Sequence, residues 1–125
     1  MFKIDGKQNI YISQGDSAIC DISIVSPNFP YNSYEMAAGD KLVFTVRSSP
    51  KQLNSEELPL IQKTLTEPCL ILEPNDTANI EFGEYYYDVK LLFADGNVNT
   101  IIPSVTGKHY NTIADLPTFN ICEVV

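Results

Sequence analysis

The segment that most constrains this chain is Gly83–Ile102, in which two alternating runs flank Asp95-Gly96. An Asp-Gly pair accepts the positive φ angles of a tight type I′ turn, so the segment reads as one long β-hairpin. With Asp95 and Gly96 as the two turn residues, Phe93 faces Val98, Leu91 faces Thr100 and Val89 faces Ile102. Strand side chains alternate with period two, which puts these six on one face and Asp88, Lys90, Asn97 and Asn99 on the other. A hairpin with one apolar side has to bury it. The segment therefore predicts a second sheet packed over the first.

The same patterning recurs along the chain. Ile10 and Ile12 flank Tyr11 in a short strand that ends at Gln14-Gly15-Asp16, and Ala18, Cys20, Ile22 and Ile24 then share one face of the stretch from Ser17 to Val25. Gly39-Asp40 introduces Leu42, Phe44 and Val46 at the same offsets, so both stretches are strands entered from a Gly-Asp turn. Leu60–Leu65 and Leu70–Leu72 read as a further pair of strands joined through Thr66-Glu67-Pro68, Pro74-Asn75-Asp76-Thr77 as a turn, and Phe119–Val124 as the last strand. The two prolines of the stretch from Ser26 to Ser33 lack backbone donors and make it a loop with aromatic side chains. A second long connection, Ser48–Pro59, has room for one helical turn near Ser55. Seven to nine short strands with turns every eight to twelve residues predict a single all-β domain over 1–125: an antiparallel, immunoglobulin-like β-sandwich with long loops and at most one short helix.

With 125 residues, 44% of them hydrophobic, the chain is long enough to bury a core without staples. Sixteen acidic against eight basic residues give a net charge of −8, a field that repels phosphate backbones and argues against nucleic acid. No run of eighteen apolar residues is present, and Met1-Phe2-Lys3-Ile4-Asp5-Gly6 lacks the shape of a signal peptide, so the expectation is synthesis in a cytoplasm and no membrane partner. Asn75-Asp76-Thr77 matches a glycosylation sequon that would then go unused. Cys20, Cys69 and Cys122 are odd in number, widely spaced and embedded in apolar runs, and are expected to be small buried thiols rather than disulfides or metal ligands.

The sequence offers little convergent chemistry. The one histidine, His109, lies in a polar stretch with no nucleophile elbow or other local signature. Glu56-Glu57 lie in a loop and Asp16, Asp40 and Asp76 in turns, as surface or structural acids do. Asp95-Gly96-Asn97-Val98-Asn99 imitates the start of a calcium loop, but Thr100 and Thr106 stand where the glycine and the bidentate glutamate belong. No catalytic residue, metal ligand or cofactor is expected. Seven tyrosines and no tryptophan leave room for a carbohydrate-binding or cell-surface adhesion sandwich, a class that holds sugars on exposed aromatic platforms. Exposed coplanar tyrosines would favour that class, whereas an apolar patch or an open strand edge would favour assembly with other proteins.

The Gly-x-Tyr-x-Tyr-Asp-hydrophobic segment at Gly83–Val89, the turn at Gly96 and the strand Val98-Asn99-Thr100-Ile101 resemble small tail and baseplate proteins of bacteriophages. The nearest likeness is to the N-terminal domain of the upper baseplate protein of siphophages that infect Gram-positive bacteria. It extends to the Gly15-Asp16 strand entry, to Gly39–Val46 and to the Pro74–Thr77 turn, and so covers most of the chain up to Ile102. The resemblance implies a non-enzymatic virion module that holds a receptor-binding apparatus to the tail tip, with tail-tip proteins or copies of itself as partners. Full upper baseplate proteins continue into helical and further domains, whereas this chain stops at Val125, as a stand-alone accessory protein or a separately expressed piece would. The C-terminal stretch Asp115-Leu116-Pro117-Thr118 is less typical of the family. The two longest loops, 26–34 and 48–59, are the uncommitted surfaces, and Phe29, Tyr31 and Tyr34 are the expected partner-binding anchors, because buried aromatics dominate interface energies.

Overall fold

The computed structural model describes residues 1–24, 34–48, 58–102 and 117–123. Along these the chain forms β1 (Phe2–Ile4), β2 (Ile10–Ser13), β3 (Ala18–Asp21), β4 (Lys41–Arg47), β5 (Ile61–Leu65), β6 (Cys69–Leu72), a single helical turn α1 (Pro74–Ala78), β7 (Gly83–Leu92), β8 (Val98–Ile102) and β9 (Thr118–Cys122). A sheet of seven strands, in the order β1-β2-β9-β7-β4-β5 with β8 also on β7, packs against a ribbon of two, β3 and β6. The expected all-β sandwich is present, with unequal layers.

β7 is the spine of the larger sheet. On one side it pairs with β4 from Tyr86 to Leu92. On the other side its ten residues hold two partners in line, β9 against Gly83–Tyr86 and β8 against Val89–Leu92. All pairings are antiparallel except β2 with β9, which is parallel. A parallel neighbour needs a long crossover, and these two strands come from opposite ends of the sequence, so nearly the whole chain serves as the connection.

Alternation places the core. Leu42, Phe44 and Val46 on β4 oppose Leu91, Val89 and Tyr87 on β7, and all six are buried. The Phe44 ring lies 5.5 Å from that of Tyr87 and 6.0 Å from that of Phe119. Ala18, Ile24, Leu70 and Leu72 close the core from the ribbon side, as the shared face of Ala18, Cys20, Ile22 and Ile24 requires. Truncating a fully buried ring such as Phe44 to Ala costs about 3–5 kcal/mol in a core of this kind. On the opposite face of the central strands, Thr45 and Asp88 oppose each other and are also buried, at 6% and 5% exposure, so the polar face of the hairpin is not bare.

The hairpin differs from its expected register. Among the described non-glycine residues only Gln8 has a positive φ, so Asp95 does not form a type I′ turn. Instead, Ala94, Asp95 and Gly96 form a three-residue loop closed by Phe93 and Asn97: the Phe93 amide donates to the Asn97 carbonyl (2.8 Å) and the Gly96 amide to the Phe93 carbonyl (3.0 Å). Gly96, at φ 97°, supplies the left-handed position such loops require. The extra loop residue slips the pairing by one, so Leu91 opposes Asn99 and Leu92 opposes Val98. Val98 and Thr100 consequently face outward rather than into the core. A bulge between Val89 and Lys90 then absorbs the slip, buries Ile101 and restores Val89 opposite Ile102 as expected.

Smaller differences follow the same logic. β5 and β6 are strands, but β5 joins β4 in the large sheet and β6 joins β3 in the ribbon, so the turn between them crosses layers rather than making a hairpin. Pro74–Thr77 winds into α1, with Pro at its start, where a missing amide hydrogen is harmless. The Asp76 carboxylate accepts from the Glu73 amide (2.7 Å) and pairs with Lys63 (2.8 Å). The buried Thr77 hydroxyl accepts from the Gly15 amide (2.8 Å), tying α1 to the turn between β2 and β3. Met1 to Ile4, not assigned in the sequence, adds β1 alongside β2. The helical turn expected near Ser55 lies outside the described residues.

Candidate interaction surface

Of the three expected anchors, Phe29 and Tyr31 lie outside the described residues. Tyr34 is half-buried, edge-on to Phe93 with ring centroids 5.6 Å apart, and its hydroxyl donates to Asp40. Asp40 also accepts the amides of Ala37 (2.9 Å) and Ala94 (3.0 Å), so one buried carboxylate fastens the strand entry, the Tyr34 segment and the hairpin loop together. The Tyr34 hydroxyl bond and the Ala37 amide hold the Asp40 carboxyl below its ordinary range, against the opposing effect of burial. The same bond pushes the Tyr34 phenol up. Gly39 completes the clamp: a Cβ there would meet the Ala94 Cβ at 2.9 Å, and its φ is 90°.

The ribbon presents a different kind of surface. Ala18, Cys20, Leu70 and Leu72 face inward, so Ile19 and Ile71, directly opposed, face out; they are 73% and 51% exposed. The Ile22 amide donates to the Pro68 carbonyl (2.8 Å), which sets the phase of the ladder. Residues 18, 20 and 22 exchange bonds with β6, while the backbone groups of Ile19 and Asp21 point to the other side. Among the described residues the only hydrogen bond reaching that edge comes from the Cys20 thiol to the Asp21 carbonyl (3.5 Å). Asp21, Glu67 and Glu73 around the ribbon are exposed.

Beneath β3 lies a cavity of ≈ 270 Å³, lined by Cys20, Asp21, Ile22 and Ser23 from β3 and the residues after it, and by Leu70 from β6. Its floor is Phe44, Tyr87 and Val89 of the large sheet, and it extends to Ile4, Gln8, Ile10 and Ile102. The Tyr87 hydroxyl is committed to the Gln8 carbonyl, and burial pushes this phenol far above its ordinary pKa. Burial likewise raises the Cys20 thiol. A second depression of ≈ 410 Å³ adjoins at Ile22 and Ser23 and reaches Tyr34, Met36 and Pro68.

The remaining candidates have structural partners. The Asp95 carboxylate accepts from the backbone and side-chain nitrogens of Asn97 (2.9 and 3.1 Å), closing the hairpin loop with the residues that imitate a calcium motif. Cys20, Cys69 and Cys122 are free and half-buried rather than fully buried. No group of three or more His, Cys, Asp or Glu side chains converges among the described residues, and His109 is outside them. No helix among the described residues is long and apolar enough to cross a membrane. The five described tyrosines, Tyr11, Tyr34, Tyr85, Tyr86 and Tyr87, are all at least half-buried with a hydroxyl partner.

Sequence reasoning missed the ribbon edge. The available signal was an isoleucine at one outward position of each strand, Ile19 between Ala18 and Cys20 and Ile71 between Leu70 and Leu72, where alternation calls for a polar residue. The chain matches no family model, and no curated protein and no solved structure is significantly similar to it.

Proposed function

We propose that this chain is a non-enzymatic structural protein of a bacteriophage or prophage virion, an assembly module of the tail or baseplate that works through protein contacts. The observation that carries the reading is the β3–β6 ribbon, with an exposed, cross-strand pair of isoleucines and, beside it, an edge of β3 that no described strand pairs with. Soluble proteins normally blunt such edges or cover them, and an apolar pair in that position marks a surface that is covered in use. The sequence resemblance supports the virion setting, because Gly83–Val89, Gly96 and Gly39–Val46 form the spine, the turn and the central partner strand of this fold. A sugar-binding sandwich needs exposed coplanar tyrosines, and none of the described tyrosines is exposed. The partners under this reading are tail-tip proteins or further copies of the chain, met in the host cytoplasm during assembly and retained in the virion.

The test is purification of particles from cells that carry the gene. The reading expects the chain to co-sediment with intact particles and to pull down neighbouring tail proteins. Its absence from particles, together with micromolar binding to cell-wall polysaccharide, would replace this reading with the adhesion one.

A further inference from the structure

Among the described residues the two layers are mismatched: seven strands lie on one side of the core and two on the other. β6 sits near β5, at one end of the large sheet. The cavity starts beneath the ribbon, at Cys20 and Leu70, and extends past β3 to side chains of β1, β2 and β8. About 150 Å³ is enough for an apolar cavity to hold a benzene ring, so ≈ 270 Å³ has room for more than one aliphatic side chain. The Tyr87 hydroxyl on its floor is already bonded, which leaves the floor apolar in character.

We propose that the outer edge of β3, which no described strand pairs with, takes up an extended segment of another protein, which pairs with it as a strand, inserts aliphatic side chains into the cavity and sets basic side chains beside Asp21. This rests on the assembly reading for the identity of the partner. Backbone pairing supplies affinity through the open groups of Ile19 and Asp21, and the cavity supplies specificity at alternate positions. On the outer face the incoming strand covers Ile19. The charge follows from Asp21, Glu67 and Glu73 around the ribbon and from the net charge of −8, which favour lysine or arginine on the outward positions. A second copy of this chain is the poorer occupant. Two β3 strands placed edge to edge would each keep Ala18 and Cys20 in their own core, leaving both cavities empty, and each copy brings the same negative charge.

The experiment uses the ¹⁵N-labelled full chain and three capped peptides of about nine residues, at the upper end of ordinary strand lengths. One alternates valine with lysine, one alternates valine with glutamate, and one is the lysine peptide with a central proline, which cannot complete the ladder. The lysine peptide is expected to slow amide exchange at Ile19 and Asp21 and to shift the signals of Ile22 and Val89. The glutamate and proline peptides should bind at least about tenfold more weakly. Ser23→Leu, which fills the cavity mouth, and Asp21→Asn, which removes the facing charge, should each weaken the lysine peptide several-fold. Val98→Thr, at an exposed site on β8, should not. Amides of Ile19 and Asp21 already protected without peptide, a concentration-dependent dimer, or peptide binding that leaves these amides unchanged would overturn the proposal. If the chain co-sediments with particles yet no peptide engages β3, this inference fails alone; if the peptide docks but particles lack the chain, only the virion reading fails.

Discussion

At the scale of single residues, the fold depends on a few side chains whose partners are distant in sequence. Gly39-Asp40 was legible as a strand entry, but the Asp40 contacts to Tyr34 and to Ala94, 54 residues away, were not, because nothing local distinguishes a clamping aspartate from an exposed one. Its depressed pKa sets a sign for pH dependence. A carboxyl held lower in the folded than in the unfolded chain, where it titrates near about 3.9, stabilises above that pH and loses the contribution as pH falls through the folded value. Asp5, lowered chiefly by the Asn9 amide, acts in the same direction. Urea melts should therefore show stability falling as pH drops below about 4. Asp40→Asn should lower the midpoint at neutral pH and flatten that acid limb, leaving the part due to Asp5. An unchanged acid limb in the variant would remove Asp40 from the account. Glycines give a second check. Gly96→Val meets no neighbour but forces a β-branched residue to φ 97°, at a cost of about 1–2 kcal/mol. Gly39→Ala should cost more than Gly96→Ala, since its Cβ also collides with Ala94.

At the scale of elements, alternation located β2, β4 and β9 to within a residue or two and the inward faces of β3 and β4, while β3 ends at Asp21 rather than running on to Val25. The β7–β8 hairpin was legible in outline but not in register. Ala94 alternates well enough to pass for a strand residue, yet its amide is taken by the Asp40 carboxylate, and this contact across the molecule draws it into the loop. One residue added to a turn reverses the facing of every side chain until a bulge corrects it. Register is testable by cross-linking. Because Phe93 bonds to Asn97, the next pair, Leu92 and Val98, is a non-hydrogen-bonded one, whose closer Cα atoms suit a disulfide. In a background with the three native cysteines replaced by alanine, Leu92→Cys with Val98→Cys should oxidise readily without loss of fold. Phe93→Cys with Val98→Cys, the pair of a two-residue loop, should not. The reverse preference would restore the type I′ hairpin.

At the scale of the whole molecule, composition and periodicity specified an all-β sandwich but not the division of its strands into seven and two. Strand existence is written in local patterning, whereas partnership depends on which edges meet in space, and the neighbouring strands β5 and β6 serve different layers. That division generates the functional proposal, because among the described residues it leaves β3 with an open edge, a cavity beneath it and Ile19 exposed above. The sequence points to aromatic anchors on the loops, yet Tyr34 is packed against Phe93 and bonded to Asp40, and the exposed large apolar side chains among the described residues are mostly aliphatic, with Phe82 the aromatic exception. The most direct measurement is residue-resolved amide hydrogen exchange on the chain alone and on the chain within purified particles. The account predicts that Ile19 and Asp21 exchange fast in the free protein and become strongly protected on assembly. Unchanged exchange at β3 in particles that protect some other surface would contradict it.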